Sequence, residues 1–493
     1  MTTVKCKITG EDVVYSDFEL ELYKQFEATP PPLSKKERHR LLFSFLSGGH
    51  FFWREVEGTK IYSIYPLSTA LTVIDSARYP PPELFVDWNS REPFLNQLLT
   101  LLKNSPRPHY HGFNVSETFG VEDVAEISKS SIVLFSSEVN QCSASEFIKK
   151  SSNISSSILV ENSSFCIASY GLRNCSNLAF ASNCLDCKNS YFLANCTNCN
   201  NCLMCEGLVG QEFYVYNQPV GKEAYEKALE ELALNTQAGV ELSLSSFKKF
   251  LTRNNVKVGK SFEDGKTSSN LFGVSDSKNC ADSVGYLDGI KNSVLCVGCG
   301  SNADNLFNCV RCYNNVSNLT YCFDCTNCRE LIGCVGLNNA EYRILNKQYV
   351  KSEYFALKEE LIVSLKRKRS WGSPMSFKFS DFAYNGSLAQ HLFPLTKVQV
   401  GMFEVGWDDD VESLMVERLV NNAGLLEQIQ DTPRSLEEAF KQANGVFVCE
   451  LSGRLFRYLP GELDRYRKLG VCPSPFGHEE QLRQLWQQLN KVL

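Results

Sequence analysis

Cysteine is the residue type with the most chemistry to offer in this sequence, because thiolates bind metals, act as nucleophiles and form disulfides. The chain has 21 cysteines, and 18 of them lie between positions 142 and 334. The tightest cluster consists of four cysteines spaced three residues apart, Cys196, Cys199, Cys202 and Cys205. Cysteines at this C-x2-C spacing bind zinc or iron–sulfur clusters in many proteins. The first question is therefore whether these thiols are ligands or packing groups.

Two internal duplications organise the sequence. The first, which we call the tract duplication, aligns Cys196–Leu232 with Cys325–Leu361 without a gap. The second, which we call the end duplication, relates the beginning of the chain to its end. Its aligned pairs include Cys6 and Cys449, Glu19 and Glu462, and Tyr23 and Tyr466. Each pair of repeats is expected to fold alike.

The tract duplication helps to separate metal ligands from packing residues. In its register, Cys202 aligns with Leu331, and Leu193 aligns with Cys322. A metal ligand cannot be exchanged for leucine, whereas an unionised cysteine packs as a small hydrophobic side chain. We therefore expect these positions, and Cys187, which aligns with a valine, to face a packed interior.

Three cysteines are kept in both copies, and they are the strongest metal candidates. The two triplets are Cys196, Cys199 and Cys205, and Cys325, Cys328 and Cys334. Three thiolates lack the fourth ligand of a structural zinc site. None of the six histidines lies close to these cysteines in sequence. We predict a packed interior with no catalytic residue, metal or cofactor, and zinc or iron–sulfur binding by the triplets is the alternative.

The elements that carry these cysteines are predicted to be short strands. We call residues 111–221 the first tract and residues 236–350 the second tract. Short apolar segments broken by Asn, Gly and Ser recur in both, which predicts parallel β-solenoid units. An amphipathic helix follows each tract, at Lys222–Leu232 and Lys351–Leu365, and is predicted to cap its open edge. The predicted fold is mostly β with α, with two capped solenoid-like units between related small α/β terminal domains.

This organisation predicts four domains. They are an N-terminal α+β domain (1–110), a first solenoid unit with its helix (111–235), a second with its helix (236–370) and a C-terminal domain (371–493). Further helices are predicted over residues 91–103, 411–427 and 435–443. Thr432 is the expected N-cap of the last one, with Pro433 at its first position.

Composition indicates which partners and which cellular compartment to expect. The net charge is −6, so the chain has no overall attraction to nucleic acid. No apolar run approaches the roughly 20 residues of a membrane span, and the first ten residues lack the apolar core of a signal peptide. With an odd cysteine count, these features favour the reduced cytoplasm over a disulfide-bonded secreted protein.

Catalytic motifs are missing from the sequence. It contains no G-x-S-x-G, no phosphate-binding loop with its lysine, no H-E-x-x-H and no dinucleotide-binding fingerprint. We interpret Asp408–Asp410 as a helix start and Lys366–Arg369 as a helix end, both of which favour such charges. The sequence therefore predicts a non-enzymatic structural or interaction protein that assembles with itself or another protein. A polysaccharide-acting enzyme is the weakest alternative, because acidic residues are scattered in the tracts.

Three segments carry a resemblance to a known family. They are Glu92–Pro106 (EPFLNQLLTLLKNSP), Gly333–Tyr354 (GCVGLNNAEYRILNKQYVKSEY) and Phe382–Lys397 (FAYNGSLAQHLFPLTK). With the terminal segments, they resemble an uncharacterised cysteine-rich repeat family that is widespread in Candidate Phyla Radiation (Patescibacteria) bacteria. The similarity covers essentially the whole chain, but the family implies no activity.

The resemblance does imply zinc-ribbon-like terminal domains. In this chain, the four N-terminal ligand positions are Cys6, Thr9, Ser34 and Glu37. The four C-terminal positions are Cys449, Ser452, Gly477 and Glu480. One thiolate of four cannot hold a structural zinc ion. We therefore expect degenerate ribbons that are held by apolar packing, with Tyr23 and Tyr466 in their cores.

Overall fold

The computed structural model divides into two compact units, each assembled from two separate parts of the chain. The N-unit comprises Met1–His111 and Ser261–Val411, and the C-unit comprises Gly112–Lys260 and Glu412–Leu493. From Ser261 onward, the second tract thus belongs with the N-terminal segment, whereas the first tract and residues 236–260 belong with the C-terminal segment. The structure describes residues 4–76 except 49 and 51, 84–110, 187–255, 310, 317–411, 429–451, 453, 455–458, 462–477, 480, 481 and 484, together with short strands within 112–179 and 268–297.

Ten α-helices lie in the described residues. They are α1 (Asp17–Gln25), α2 (Lys35–Ser44), α3 (Phe94–Asn104), α4 (Lys222–Glu231), α5 (Gln237–Arg253), α6 (Lys351–Arg367), α7 (Leu388–Leu392), α8 (Lys397–Val400), α9 (Leu436–Lys441) and α10 (Glu462–Leu469). Short 3-10 turns occupy Phe377–Phe379, Tyr384–Gly386 and Gly401–Phe403. Side-chain hydroxyls start several helices: Ser16 and Ser34 accept N–H groups of α1 and α2, and Thr236 does so for α5.

Strands before the first tract are β1 (Val4–Lys5), β2 (Asp12–Val13), β3 (Phe52–Val56), β4 (Thr59–Ser63), β5 (Val73–Ile74) and β6 (Arg107–Pro108). Those of the first tract are β7 (Gly112–Phe113), β8 (Phe119–Ala125), β9 (Ser131–Ser137), β10 (Asn140–Ser143), β11 (Ile148–Lys149), β12 (Ser152–Ser155), β13 (Val160–Glu161), β14 (Cys166–Ile167), β15 (Leu178–Ala179), β16 (Tyr191–Ala194), β17 (Leu203–Glu206), β18 (Tyr214–Val215) and β19 (Gln218–Pro219). Those of the second tract are β20 (Ser268–Gly273), β21 (Cys280–Gly285), β22 (Ser293–Val297), β23 (Ser317–Thr320), β24 (Arg329–Ile332), β25 (Glu341–Ile344) and β26 (Lys347–Gln348). Three strands follow, β27 (Ile429–Gln430), β28 (Val446–Val448) and β29 (Leu455–Phe456).

The first tract is a ladder of parallel strands with a constant register. One sheet has the order β13-β11-β9-β8-β7, and the other runs from β10 through β12, β14, β15, β16 and β17 to β18. Each parallel pair joins a residue to the twelfth residue after it, from Gly112 with Val124 to Leu203 with Val215. This constant step means that successive turns of chain stack directly on one another.

The second tract repeats the arrangement with one change in spacing. Strands β23, β24 and β25 again pair each residue with the twelfth after it, as do β20 and β21. Between them the partner is the thirteenth residue, as in the bridges that join Val297 to Val310 and Val310 to Phe323. An additional residue per turn is therefore accommodated without loss of the parallel ladder.

Every third residue of the described turns has a left-handed backbone. Positive φ angles recur from Asn189 to Tyr216 and from Asn318 to Leu345, ten in each tract. Asn or Gly occupies six of these ten positions in the first tract and five in the second, which suits them because these residues tolerate φ > 0 best. A turn thus consists of four three-residue segments, and its corners account for the abundance of Asn in the tracts.

Substitutions at Asn198, which has a left-handed backbone, should change the stability of the chain by amounts that depend on the new side chain. We expect Asn198→Val to lower the free energy of unfolding by about 1–2 kcal/mol, because a β-branched residue is strained at φ +53°. Asn198→Gly should cost less than half as much. Thr197→Val, at the neighbouring position without positive φ, is the matched control and should change stability by under about 0.5 kcal/mol. Guanidinium denaturation followed by circular dichroism measures all three, and equal losses for the three variants would contradict the corner assignment.

The described end of each parallel ladder is closed by an antiparallel strand and a helix. Strand β19 pairs with β18 in the first tract, and β26 pairs with β25 in the second. The two-residue turns between them have positive φ at both residues, which matches the twist of a tight hairpin. Helices α4 and α6 follow, which confirms the predicted helices after the tracts.

The two ends of the chain form the same local structure, as the end duplication predicts. Strands β1 and β2 pair Lys5 with Asp12, and β28 and β29 pair Val448 with Leu455, which are the equivalent positions in that duplication. Helices α1 and α10 follow the two hairpins. The tyrosines predicted for their cores, Tyr23 at 1% exposure and Tyr466 at 2%, are both buried.

Each terminal segment packs on the tract within its own unit through an equivalent carbonyl. In the N-unit, Trp371 Nε1, just after α6, donates to Phe26 O at 2.8 Å. In the C-unit, Tyr191 Oη donates to Leu469 O at 3.1 Å. Phe26 and Leu469 are equivalent positions in the end duplication. The equivalent carbonyls of the two terminal segments thus both accept a side-chain hydrogen bond within their own unit, from a tryptophan after the second tract and from a tyrosine of the first tract.

The mixture of helices and small sheets confirms the predicted presence of both α and β structure. The helix predicted over residues 91–103 is present as α3, shifted by a few residues. The predicted N-cap Thr432 is wrong, because α9 begins later and Ser435 accepts the Glu438 N–H. The helix predicted over residues 411–427 lies almost entirely outside the described residues.

Candidate functional site

In the described turns of both tracts, every third residue lines the interior, and cysteine is the commonest residue at these positions. In the first tract the positions from Cys187 to Cys205 are at most 1% exposed. In the second tract the positions from Leu319 to Cys334 are equally buried. Cys202 and its equivalent Leu331 are both fully buried, and so are Leu193 and Cys322. This confirms that cysteine and leucine exchange at inward-facing positions.

The thiols are engaged by the backbone of the stack. Cys205 Sγ donates to Leu203 O in its own turn at 3.1 Å and to Tyr214 O in the next turn at 3.5 Å. Cys202 repeats this pattern in the first tract, and Cys328 and Cys334 repeat it in the second. The Cys199 sulfur lies at the equivalent place, 3.4 Å from Thr197 O and 3.5 Å from Leu208 O. Each such thiol therefore links two successive turns through weak S–H···O hydrogen bonds.

In the first tract, four thiols gather around one position. Cys199 lies within hydrogen-bonding reach of the thiols of Cys187, Cys196 and Cys202, which lower its pKa well below the ordinary value. The hydrogen bond with Cys199, followed by burial, raises the pKa of Cys202. Cys205 does not take part in these thiol–thiol hydrogen bonds. The cluster therefore differs from the triplet that the alignment indicates.

In the second tract, the thiol cluster has another composition. Cys322 hydrogen-bonds with Cys325 and Cys334, and burial is the main cause that raises its pKa. Cys328 is not among these partners, although it is equally buried. The structure thus places Cys322 in hydrogen-bonding reach of two members of the predicted triplet, Cys325 and Cys334, while the third member, Cys328, interacts with these two through charge alone. The ladder register explains why Cys322 and Cys334 meet, because Cys334 is the twelfth residue after Cys322 and lies directly on it in the next turn.

Burial of the thiols makes stability depend on alkaline pH. Burial raises the pKa of Cys205 to about 11 and that of Cys328 to about 12, from an ordinary 9.0. Above pH 9 these cysteines ionise in the unfolded chain before they ionise in the folded one. Their contribution to the free energy of unfolding is therefore full below pH 9 and decreases as the pH rises toward 12. Over this pH range, each of the two thiols should lower the free energy of unfolding by about 2–4 kcal/mol.

Denaturant titrations at pH 8, 9, 10 and 11 under reducing conditions measure this loss. Cys205→Ala is the matched variant, since it should flatten the decline between pH 9 and pH 11 by its own share. An unchanged slope in that variant, or constant stability from pH 8 to pH 11, would contradict the role of the buried thiols.

The four positions predicted as zinc-ribbon ligands near the N-terminus are connected by hydrogen bonds that start from a single thiol. Cys6 Sγ accepts the Ser34 N–H at 3.4 Å, and Ser34 Oγ accepts the Glu37 N–H at 3.4 Å. Burial raises the pKa of Cys6, but hydrogen bonds led by those from Thr9 outweigh it and bring the value to about 7. Glu37 pairs with Arg40 at 2.9 Å. Hydrogen bonds and this ion pair thus connect these positions.

The segment predicted as a C-terminal ribbon repeats part of this arrangement. Cys449 is 1% exposed, and its carbonyl accepts the Gly453 N–H at 2.8 Å, as Cys6 O accepts the Gly10 N–H at 2.9 Å. Gly477 O accepts the Glu480 N–H. Ser452 lies outside the described residues. The two hairpins are thus equivalent, although the residues at their ligand positions differ.

The described part of the chain has neither a grouped metal-binding site nor a membrane-spanning helix. None of its His, Cys, Asp and Glu side chains forms a group of three or more with a geometry for holding an ion. None of its helices has the length and apolar character needed to cross a membrane. The 12 cysteines whose side chains the structure describes are all free thiols without a disulfide.

The two charged runs, Asp408–Asp410 and Lys366–Arg369, form hydrogen bonds and ion pairs within the N-unit. Asp408 Oδ1 accepts the N–H groups of Asp410 and Val411 at 2.8 and 3.4 Å, which agrees with a helix start. Lys366 pairs with Glu27, and Lys368 Nζ donates to the carbonyls of residues 90 and 92 at the end of α6. Both runs thus contribute to local structure, as their interpretation from sequence predicts.

Sequence reasoning missed two buried ion pairs. Arg38 is 1% exposed and donates to Glu19 Oε1 at 2.7 Å. Arg107 is equally buried and donates to both oxygens of Asp381, at 2.8 and 3.1 Å. Arg107 and Asp381 are far apart in sequence, so no local pattern marks them.

Comparisons with protein-family models, with curated proteins and with solved structures find no match for this chain. The resemblance to the Candidate Phyla Radiation family therefore remains a prediction from the motifs. Function has to be inferred from the buried thiols, the duplicated ends and the exposed surfaces of the two units.

Proposed function

We propose that the chain is a non-enzymatic structural or interaction protein of the reduced cytoplasm. In this proposal its tracts are β-solenoid units and its ends are degenerate, metal-free ribbons. The supporting observation is that the thiols, the most reactive groups of the chain, are buried and donate hydrogen bonds between successive turns. Thiols used in this way stabilise a stack and are withheld from substrates. The outer surface then carries the function.

Self-association is the form of interaction that we propose first. Exposed apolar side chains lie on one helix of each unit: Leu242 and Leu244 of α5 in the C-unit are 70% and 43% exposed, and Val363 of α6 in the N-unit is 66% exposed. Exposed apolar residues of this kind are common at contacts between proteins. Because the two units carry related segments, equivalent surfaces of two copies could meet in a closed assembly.

Size-exclusion chromatography with light scattering tests this proposal. We expect a dimer or a larger oligomer at micromolar concentration, and Leu242→Glu together with Val363→Glu should lower its mass. Ser245→Glu adds a charge to the exposed side of α5 without removing an apolar group, so it is the matched control. A strictly monomeric native chain would overturn self-association.

Binding of zinc or an iron–sulfur cluster is the second candidate. It has one observation in its favour, the gathering of Cys187, Cys196 and Cys202 around Cys199, because soft thiolates select zinc and iron–sulfur clusters. Elemental analysis of protein purified without oxygen tests it. At least one zinc or iron per chain, lost on Cys199→Ala, would favour metal binding over packing, and a smaller amount would exclude it.

A further inference from the structure

The end of the second tract is covered by an extended segment from elsewhere in the N-unit. We call this segment, Leu84–Asp87, the strap. Its Val86 N–H donates to Leu345 O at 3.0 Å, and its Leu84 O accepts from Asn346 Nδ2 at 2.9 Å. Its acidic residue pairs with Lys347. Leu345 and Asn346 are consequently 0% and 2% exposed.

The end of the first tract has the same groups in the same geometry. In the tract duplication, Tyr216 and Asn217 correspond to Leu345 and Asn346. Asn217 Oδ1 accepts the Glu206 N–H, and its Nδ2 donates to Glu206 O, both at 2.9 Å. Asn346 makes the equivalent pair of bonds with Val335, at 2.8 and 2.9 Å. The hairpin that receives the strap is therefore duplicated in the C-unit.

This duplicated hairpin end is exposed in the C-unit. Tyr216 is 41% exposed, whereas its equivalent Leu345 is fully buried. In the same last turn and hairpin of the first tract, Val209, which bridges to Thr197, and Val220, whose N–H donates to Phe213 O, are 64% and 37% exposed. The bonds to Glu206 use one hydrogen of Asn217 Nδ2, and an amide nitrogen carries two. Within the described residues, Tyr216 O and the second hydrogen of Asn217 Nδ2 have no hydrogen-bond partner. The Tyr216 ring itself has an edge contact with Phe250 of α5, with ring centroids 5.3 Å apart.

The strap, which covers the equivalent end of the second tract, indicates which kind of segment could bind to the exposed end of the first tract. The strap is bound mainly through its main chain, by an N–H and a C=O that are two residues apart, as in peptides that add to a strand edge. Lys347, which pairs with the acidic residue of the strap, is replaced by Gln218 in the first tract. Val209 stands where the second tract has Asn338. An uncharged apolar segment therefore suits the C-unit surface better than an acidic one.

We propose that the surface formed by Val209, Tyr216, Asn217 and Val220 is a docking site for an extended apolar segment of a partner protein. An N–H of that segment donates to Tyr216 O, and the carbonyl two residues before it accepts from Asn217 Nδ2. Apolar side chains of the segment lie against the two valines. The proposal goes beyond self-association, because a chain that is monomeric can still bind such a segment.

A labelled peptide with the sequence of residues 83–91 (ELFVDWNSR) is the probe, titrated with the full chain in fluorescence anisotropy. We expect saturable binding to one site per chain. A peptide N-methylated at its valine loses the donor to Tyr216 O and should bind about tenfold more weakly. A peptide with the aspartate replaced by serine should bind at least as well. Equal affinity of the methylated and unmethylated peptides, or no saturable binding, would overturn the proposal.

Variants of the chain assign the site. Asn217→Asp removes the Nδ2 donor but tolerates positive φ, and Val209→Glu changes an exposed side chain without touching the core; both should weaken binding about tenfold. Asn346→Asp is the matched control in the N-unit and should leave affinity unchanged. If Asn346→Asp alone weakens binding, the peptide displaces the strap and the proposal fails. If light scattering shows a dimer that Val209→Glu dissociates, the occupant is a second copy and the partner assignment fails.

Discussion

Replacing Arg107 with methionine is expected to lower the free energy of unfolding of the N-unit by about 3–5 kcal/mol. The guanidinium of Arg107 is 1% exposed and has four acceptors. They are the two oxygens of Asp381, Ser105 O at 2.8 Å and Leu102 O at 3.0 Å. Methionine keeps the packing of the stem but leaves the Asp381 carboxylate, 9% exposed, without its charged partner. An uncompensated buried charge is among the most destabilising changes in a protein.

Guanidinium denaturation followed by tryptophan fluorescence measures this loss, since four of the five tryptophans belong to the N-unit. Lys397→Met is the matched control, because its ion pair with Asp409 at 2.6 Å is exposed and should be worth less than about 1 kcal/mol. Arg107→Met combined with Asp381→Leu should recover much of the stability. A loss below about 1 kcal/mol for Arg107→Met alone would show that the pair is not structurally important.

The duplications made part of the fold predictable from sequence. They indicated that the two hairpins at the ends are equivalent, and the pairing of Lys5 with Asp12 and of Val448 with Leu455 agrees. They also indicated that Cys202 faces the interior, because a leucine stands at the equivalent position. Both inferences depend on local sequence, which a duplicated segment preserves.

The length of a turn was not predictable from the cysteine spacing. Cys187, Cys196 and Cys205 are nine residues apart, but the strands pair each residue with the twelfth after it. Nine and twelve are both multiples of the three-residue segment that carries one inward and one left-handed residue. The sequence reveals this segment through Cys and Asn, but it does not reveal that four segments complete a turn. That number depends on how the corners close in space.

The sequence did not predict which thiols form the cluster, and it did not predict how the chain divides into two units. The reason is related in both cases. An alignment reports which positions tolerate cysteine or leucine, and it does not report which side chains meet. Cys187 and Cys202 were therefore set aside, although both contact Cys199. Similarly, the end duplication relates the two ends of the chain, but only contacts such as Trp371 with Phe26 show which tract each end joins.

Replacing Cys202 with aspartate is expected to destabilise the C-unit by more than about 4 kcal/mol, or to prevent its folding. Cys202 is fully buried, and its Sγ donates to Asn200 O at 3.3 Å and to Gln211 O at 3.5 Å. An ionised carboxylate at this position would lie beside the Cys199 thiol and face carbonyl oxygens, so it would lose hydration and face repulsion. Protonation to avoid this cost would raise its pKa strongly.

Cys202→Leu is the matched substitution that the chain itself provides, because Leu331 occupies the equivalent interior position with 0% exposure. It should cost about 1–3 kcal/mol through overpacking, and circular dichroism in denaturant should show a cooperative C-unit for this variant. If the thiols instead hold a metal ion, Cys202→Leu should be as damaging as Cys202→Asp and should release the ion. Leucine can replace a buried hydrophobic group but cannot replace a metal ligand. The loss of unfolding free energy in Cys202→Leu, compared with that in Cys202→Asp, therefore shows whether the thiol is a packing group or a ligand.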